Sequence, residues 1–218
     1  LKLKELITLI NNNARYTNPL VIVGAGPTGV ELACKLSDLV KNRIEIYLID
    51  KGNKILSESK SFNREKAIDS IAKRNIKIYL GSYIKSINKS SLELIISENK
   101  VNKSIKIKYS GLIWTAGLKP FQSKLIDRFL GKNKKIKVNK TLQINKYQNI
   151  FFVGDITCCE NEAFPSSAQV AMQQGFLTAQ NIISLRKRKK LKSFEYEDRG
   201  EMLSLGIGNA SITGLGIT

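Results

Sequence analysis

The stretch LVIVGAGPTGVELACKLSDL, residues 20–39, constrains the fold more than any other part of the chain. It opens on a continuous apolar run, LVIV, of the kind buried on both faces of a parallel sheet. A glycine turn follows. Beyond it Val30, Leu32, Ala33, Leu36, Leu39 and Val40 recur at helical spacing and give the next segment a broad apolar face. The turn itself, Gly24-Ala25-Gly26-Pro27-Thr28-Gly29, has the form G-x-G-x-x-G. In such a turn Gly24 permits the tight bend, Gly26 lets the backbone approach a pyrophosphate, and Gly29 lets the helix pack closely on the strand. Phosphates would rest on the helix N-terminus, where unpaired N–H groups and the helix dipole favour negative charge. The segment therefore predicts a dinucleotide site on a strand-turn-helix unit.

The next segments extend that unit. IEIYLID (44–50) alternates and ends on an acid, NREKAIDSIAKRN (63–75) has helical spacing through Ala67, Ile68, Ile71 and Ala72, and IKIYL (76–80) reads as a third strand. This βαβαβ order is a mononucleotide-binding half of an α/β fold. Asp50 lies 21 residues beyond Gly29. A carboxylate there accepts hydrogen bonds from the adenosine ribose and repels a 2′-phosphate, favouring NAD. Lys51 beside it acts in the opposite sense and keeps NADP open. Glu31, in the first turns of the helix, has two readings: a favourable charge near the positive end of the helix dipole, or a carboxylate beside the nicotinamide.

YIKSI, SLELII and SIKIKYS, separated by polar turns, read as an antiparallel meander laid on the sheet. GLIW (111–114) is a short strand before a glycine turn and Pro120, which disfavours helix at Lys119, and a domain crossing is expected here. IKVNKTLQI (136–144) and NIFFVGDI (149–156) read as two further strands, the second ending at Gly154-Asp155, an acid suited to accept hydrogen bonds from a sugar or polyol. A helix is expected from about Ser166 to Leu185, with Pro165 before it and Ser166 or Ser167 as N-cap. On it Gln169 and Gln173 are four apart, so both amides can point at one ligand. The tail FEYEDRGEMLSLGIGNASITGLGIT, with five glycines, reads as the opening hairpins of a further domain.

Composition narrows the chemistry. The 218 residues, 42% of them hydrophobic, suffice for one large domain or two small ones. No apolar run approaches the roughly 20 residues that span a bilayer. There is no histidine, and the three cysteines, Cys34, Cys158 and Cys159, form no C-x-x-C. Ser-His and Cys-His catalysis within this chain are thereby excluded, no metal site is expected, and the thiols read as buried or incidental. The net charge of +18 comes mostly from scattered lysines, which read as a solvated face, and few aromatics interleave them, so nucleic acid is not an expected partner. The exception is LRKRKKLK (185–192), a dense run suited to an anionic membrane surface or a phosphate. The start, LKLKELITLI, carries charges every few residues and lacks a signal-peptide pattern; it opens on Leu1, so upstream residues are expected.

GAGPTGVELA, WTAG, and FFVGDI followed by PSSAQVAMQQG stand in an order that resembles the two-dinucleotide flavoprotein oxidoreductases. AQVAMQQG together with GEMLSLGIG resembles the type II NADH dehydrogenases, most closely the cyanobacterial and plastid members. The resemblance implies an α/β chain in which a Rossmann-like NAD-binding domain with an antiparallel β-meander is inserted in an FAD-binding domain, of which only the C-terminal half is present. Residues 1–18 would end the upstream FAD-domain segment or linker, 19–113 form the NAD(H)-binding domain, 114–192 the FAD half, and 193–218 begin a truncated C-terminal domain. By the same resemblance the turn from Gly24 through Pro27, Thr28 and Gly29, with Asp50, holds NADH and Glu31 stands beside the nicotinamide. Thr115, Ala116 and Gly117 form the crossing near the flavin, Gly154 and Asp155 meet the FAD ribityl chain, and Ala168 and Gln169 approach the isoalloxazine. Gln169 and Gln173 border a quinone pocket, and Glu31, Gln169 and Gln173 are the candidates for a direct part in the reaction.

The implied chemistry is hydride transfer from NADH to FAD and reduction of a membrane quinone of the plastoquinone or phylloquinone type. The implied setting is peripheral, on the cytoplasmic face of a membrane in a cyanobacterium or plastid, with a homodimeric full-length form. A first G-x-G-x-x-G for the ADP part of FAD does not precede Gly24, so an internal piece of a longer chain is expected. Two other readings stand beside this one: a relative with another acceptor, such as ferredoxin, sulfide or a disulfide, and a non-catalytic NAD-binding module.

Overall fold

The computed structural model describes residues 3–12, 16–98, 101–117, 124–131, 134–159 and 163–214; the expected turn at Pro120 lies outside them. The chain divides into two units, Leu1–Gly117 with Gly200–Thr218, and Leu118–Arg199.

In the first unit α1 (Leu3–Asn12) precedes β1 (Leu20–Val23), α2 (Pro27–Leu39), β2 (Ile46–Ile49), α3 (Ser61–Ala72) and β3 (Ile76–Tyr79). The expected meander follows as β4 (Ser82–Ile87), β5 (Ser91–Glu98) and β6 (Val101–Lys108), and β7 (Gly111–Trp114) returns to the sheet. The sheet order is β3-β2-β1-β7, and every pairing in it is parallel. β1 is buried along its whole length. Its side chains alternate between two cores: Leu20 and Ile22 pack with Val30, Ala33 and Leu36 of α2, while Val21 and Val23 pack with Leu92, Leu94 and Ile107 of the meander. Each such buried side chain contributes about 1.5–3 kcal/mol, which is why LVIV needs no polar face.

The second unit contains α4 (Lys124–Asp127), β8 (Ile136–Val138), β9 (Gln143–Ile144), β10 (Tyr147–Phe151), a 3-10 turn (Gly154–Ile156), β11 (Thr157–Cys159) and α5 (Ala168–Arg186). β11 runs parallel to β8, and β10 antiparallel to β9. The single strand expected over 136–144 is broken. Asn139 Oδ1 accepts from the backbone N–H groups of Thr141 (2.9 Å) and Gln143 (3.0 Å), and Leu142 adopts φ +68°, so a side-chain-stabilised turn replaces the ladder. The strand expected over 149–156 likewise ends at Phe151, before the chain bends into the 3-10 turn. α5 begins where expected: Ser167 Oγ accepts from Val170 N at 3.2 Å, the N-cap bond. After α5 the chain reverses. Buried Asn181 accepts from Lys192 N and donates to Lys192 O, both at 2.9 Å, turning the following segment back along the helix.

β12 (Glu201–Ser204) and β13 (Ala210–Thr213) form an antiparallel hairpin that belongs to the first unit, where it contacts α2 and α3. Leu203 and Leu205 are buried in the core that α2 shares with β1. Polar groups of the helices complete the contact. Asn63 Nδ2 donates to Glu201 Oε2 (2.9 Å), Ser70 Oγ donates to the Leu205 carbonyl (2.9 Å), and Asp38 Oδ2 accepts from Ile207 N (2.7 Å).

Candidate functional site

The three glycines of the first turn are required for different reasons. Gly24 adopts φ +109°, and a Cβ there would stand 2.7 Å from Thr115 Oγ1 and 2.9 Å from Ala116 N. At Gly29 a Cβ would stand 1.7 Å from the Gly24 carbonyl oxygen, so the seating of α2 on β1 demands glycine. Gly26 differs: its backbone is extended, and a Cβ there would meet nothing within 4 Å. The chain's own packing therefore does not explain Gly26. Its missing side chain leaves open space at the amino end of α2, which has no side-chain cap and carries Pro27 in its first turn. A diphosphate at that end fits both observations, since it would receive the uncapped N–H groups and require a bare backbone.

The neighbours of the turn come from the ends of β2 and β7. Asp50 Oδ2 accepts from Ala25 N at 2.6 Å and Oδ1 from Gly52 N at 2.7 Å, which fixes the carboxylate and leaves each oxygen a further lone pair for a ribose hydroxyl. Lys51 is exposed. β7 lies beside β1 on the side opposite β2, so the strand order reverses at β1 and opens a crevice there. Thr115 sits at that crevice: its N–H and its hydroxyl both donate to the Val23 carbonyl, each at 2.8 Å. Ala116 and Gly117 follow directly, Gly117 with φ +78° and no atom within 4 Å of a built Cβ. Glu31 is half-buried, and its Oε1 accepts from Ser204 N at 2.8 Å. Nearby, Asp38 of α2 forms a two-pronged ion pair with Arg74, in the turn after α3 (2.8 and 3.0 Å), which holds the Asp38 carboxyl below the usual carboxylate range.

The second unit builds a separate site around Gly154, which adopts φ +76° and donates its N–H to Gln174 Oε1 at 2.6 Å. Gln174 is buried; Val170, Gln174 and Asn181 form the inward face of α5. Exposed Asp155 lines a cavity of about 270 Å³ with Lys135, Cys158, Phe164, Pro165 and Ser166, next to Ala168 at the start of α5. Lys135 and Gln174 are site residues that sequence reasoning missed. The available signal for Gln174 was its i+4 spacing from apolar Val170, which marks the core face. Gln169 and Gln173 do share the adjacent face, where they hold the returning chain. Gln169 Oε1 accepts from Tyr196 Oη (3.1 Å) and Arg199 N (2.8 Å), and Gln173 exchanges two hydrogen bonds with the Glu197 backbone. Gln173 also lines a larger apolar cavity, about 500 Å³, with Met172, Phe176, Leu177, Phe194 and Arg199.

Cys34 is buried, and burial pushes its thiol pKa up, so it is not an activated nucleophile. Cys158 and Cys159 are half-buried in β11. Among the described residues no group of three acidic or cysteine side chains is arranged for a metal ion, and no helix is long and apolar enough to cross a membrane.

A parallel sheet with its order reversing at β1, and a glycine turn whose second glycine faces open space, define a dinucleotide-binding α/β protein. Residues 3–175 match the family described as pyridine nucleotide-disulphide oxidoreductase, and the chain belongs to that family. It is 29% identical over 211 residues to the alternative NAD(P)H-ubiquinone oxidoreductase C1, chloroplastic/mitochondrial, of Arabidopsis thaliana, covering 89% of this chain and 40% of that protein. It is 30% identical over 222 residues to the demethylphylloquinone reductase NdbB of Synechocystis, covering 99% of this chain and 54% of the relative. The type II NADH:quinone oxidoreductase of Staphylococcus aureus is 29% identical over 203 residues, 86% of this chain and 49% of its own length. The resemblance read from AQVAMQQG and GEMLSLGIG is thus matched by type II relatives, cyanobacterial and plastid ones among them. The fold is shared with NDH2 of Plasmodium falciparum, solved in complex with NADH: TM-score 0.80, 18% identity, 98% of this chain and 64% of that one. The chain spans about half the length of the curated relatives it matches.

Proposed function

We propose that this chain supplies the NADH site and part of the flavin site of an NADH:quinone oxidoreductase. The observation that carries the reading is Gly26, a glycine with no packing reason, at the uncapped amino end of α2 beside the crevice at Thr115. There α2 receives the pyrophosphate and Asp50 the adenosine ribose, with NADH favoured over NADPH because the fixed carboxylate repels a 2′-phosphate. Glu31 takes the nicotinamide carboxamide.

The left-handed turn at Gly154, exposed Asp155, Lys135 and the start of α5 around one cavity fit the polyol and ring part of FAD. FAD, when bound, supplies the redox chemistry, accepting hydride from NADH and passing electrons to a quinone. The chain's own residues orient and hold: Gln174 fixes the Gly154 turn through its N–H, and Gln173 borders the apolar cavity with Met172 and Phe176, a lining suited to a quinone ring. No histidine or cysteine is needed for these roles.

A peripheral place on the cytoplasmic face of a membrane, at an anionic surface, belongs to the same reading. Arg186, Lys187, Arg188, Lys189, Lys190 and Lys192 are all exposed at the end of α5, and each cation near such a surface adds about 1 kcal/mol. A homodimer of the full-length form rests on the family resemblance alone. The test uses the full-length protein, which is expected to purify yellow and to oxidise NADH with a soluble quinone. A colourless preparation, or one inert towards every quinone tried, overturns the reading.

A further inference from the structure

The β12–β13 hairpin docks on α2, the helix that opens at the nucleotide turn, and on α3, and its contacts are more specific than burial alone requires. Leu203 and Leu205 enter the α2 core. Glu201 is bound by Asn63, the Leu205 carbonyl by Ser70, and Ile207 N by Asp38, itself paired to Arg74. The turn between the strands is fixed by Gly206, with φ +118°, where a Cβ would fall 2.2 Å from Arg74 Nη2 and 2.4 Å from Asp38 Oδ2. The backbone around that turn is therefore held against α2 through its N–H groups. One of its N–H groups, that of Ser204, reaches Glu31 Oε1 at 2.8 Å. Glu31 Oε2 has no hydrogen-bond partner among the described residues.

We propose that the hairpin is a positioning element for the nicotinamide end of the nucleotide, with Ser204 N–H holding Glu31 so that Oε2 remains to accept a hydrogen bond from the carboxamide. A glutamate on a helix surface samples several rotamers, and a ligand that must order it loses affinity; pre-ordering by a fixed backbone donor removes that loss. Ser204 is thus a positioning residue that acts through Glu31, and its effect is confined to ligands that carry a nicotinamide. The inference rests on the reading of the α2 turn as the NADH site.

The test is calorimetric titration of the 218-residue chain with NADH and with ADP-ribose, which lacks the nicotinamide. Ser204→Pro removes the N–H and is expected to weaken NADH about fivefold while leaving ADP-ribose unchanged. Met202→Ala, an exposed change on the same strand, is expected to alter neither affinity. In a Glu31→Ala background Ser204→Pro should have no further effect on NADH. A Ser204→Pro variant that weakens both ligands equally, or neither, overturns the proposal. The unsubstituted chain gives a second readout that survives a misfolded variant: the Ser204 amide resonance should shift with NADH and stay in place with ADP-ribose, and the same response to both contradicts the hairpin's role. If Glu31→Ala leaves the NADH to ADP-ribose ratio unchanged, the placement of nicotinamide beside Glu31 fails. If that ratio changes and Ser204→Pro does not change it, the hairpin's role alone fails. A chain that binds neither ligand overturns both readings.

Discussion

The carbonyl oxygen of Gly24 occupies the place where a side chain at residue 29 would begin: a Cβ built on Gly29 stands 1.7 Å from it. The first and third glycines of the turn thus form one contact, by which α2 is seated on β1. Gly29→Ala must push the helix off the strand and is expected to cost at least about 3 kcal/mol, read as a lower midpoint in urea unfolding. An unchanged midpoint contradicts that seating.

Asp50 joins the turn to β2 through two backbone donors, Ala25 N and Gly52 N. Asp50→Asn keeps an acceptor for one of them and exchanges the charge for a second donor, with an expected loss of about 1–2 kcal/mol in stability. It also removes the repulsion of a 2′-phosphate, so the NADPH to NADH affinity ratio should rise about tenfold. A ratio unmoved by Asp50→Asn, measured by parallel titrations, rejects Asp50 as the discriminating group. Equal affinities in the unsubstituted chain mean that Lys51 offsets Asp50.

The Asp38–Arg74 pair ties the hairpin to both helices and carries a pH signature. Arg74 lowers the Asp38 pKa in the folded chain, and the unfolded value is about 3.9. The contribution is therefore complete above that value and is lost as pH falls through the lower folded pKa. Asp38→Asn is expected to destabilise the chain by about 1.5–3 kcal/mol at pH 7. Its difference from the parent should shrink below about pH 4. Urea unfolding across that range checks this, and a difference undiminished at the lowest pH contradicts it.

The β1-α2-β2-α3-β3 order and the meander are legible in the sequence because each element has a local signature. LVIV is uniformly apolar, α2 has its helical spacing, and the strands of the meander alternate between polar turns. The place of the tail is not legible, since Leu203, Leu205 and Ser204 find partners on α2 and α3 more than 130 residues away. No local pattern reports such a contact. In the second unit, i, i+4 spacing correctly puts Gln169 and Gln173 on one face but does not say what that face meets, and it is Gln174 that bonds the Gly154 turn. The break at Asn139 depends on one side chain accepting two backbone N–H groups, a competition that alternation does not reveal.

The basic turn after α5 predicts lipid binding that salt can reverse. Replacing Lys187, Arg188, Lys189 and Lys190 together by Gln should lower binding to phosphatidylglycerol-containing vesicles more than tenfold at low salt, with cations near the surface worth about 1 kcal/mol each. Co-sedimentation with equal binding of parent and variant, or binding to neutral vesicles as strong as to anionic ones, rejects this surface.

The open space at Gly26 would receive the pyrophosphate of NADH. The most direct measurement is calorimetric titration of NADH into the parent chain and into Gly26→Val, alongside thermal unfolding of both. Because a Cβ at 26 meets no atom within 4 Å and the backbone there is extended, the two should unfold within a few degrees of each other. NADH binding should be lost in the variant. Unchanged NADH affinity in a folded Gly26→Val would contradict the assignment of this turn to the nucleotide.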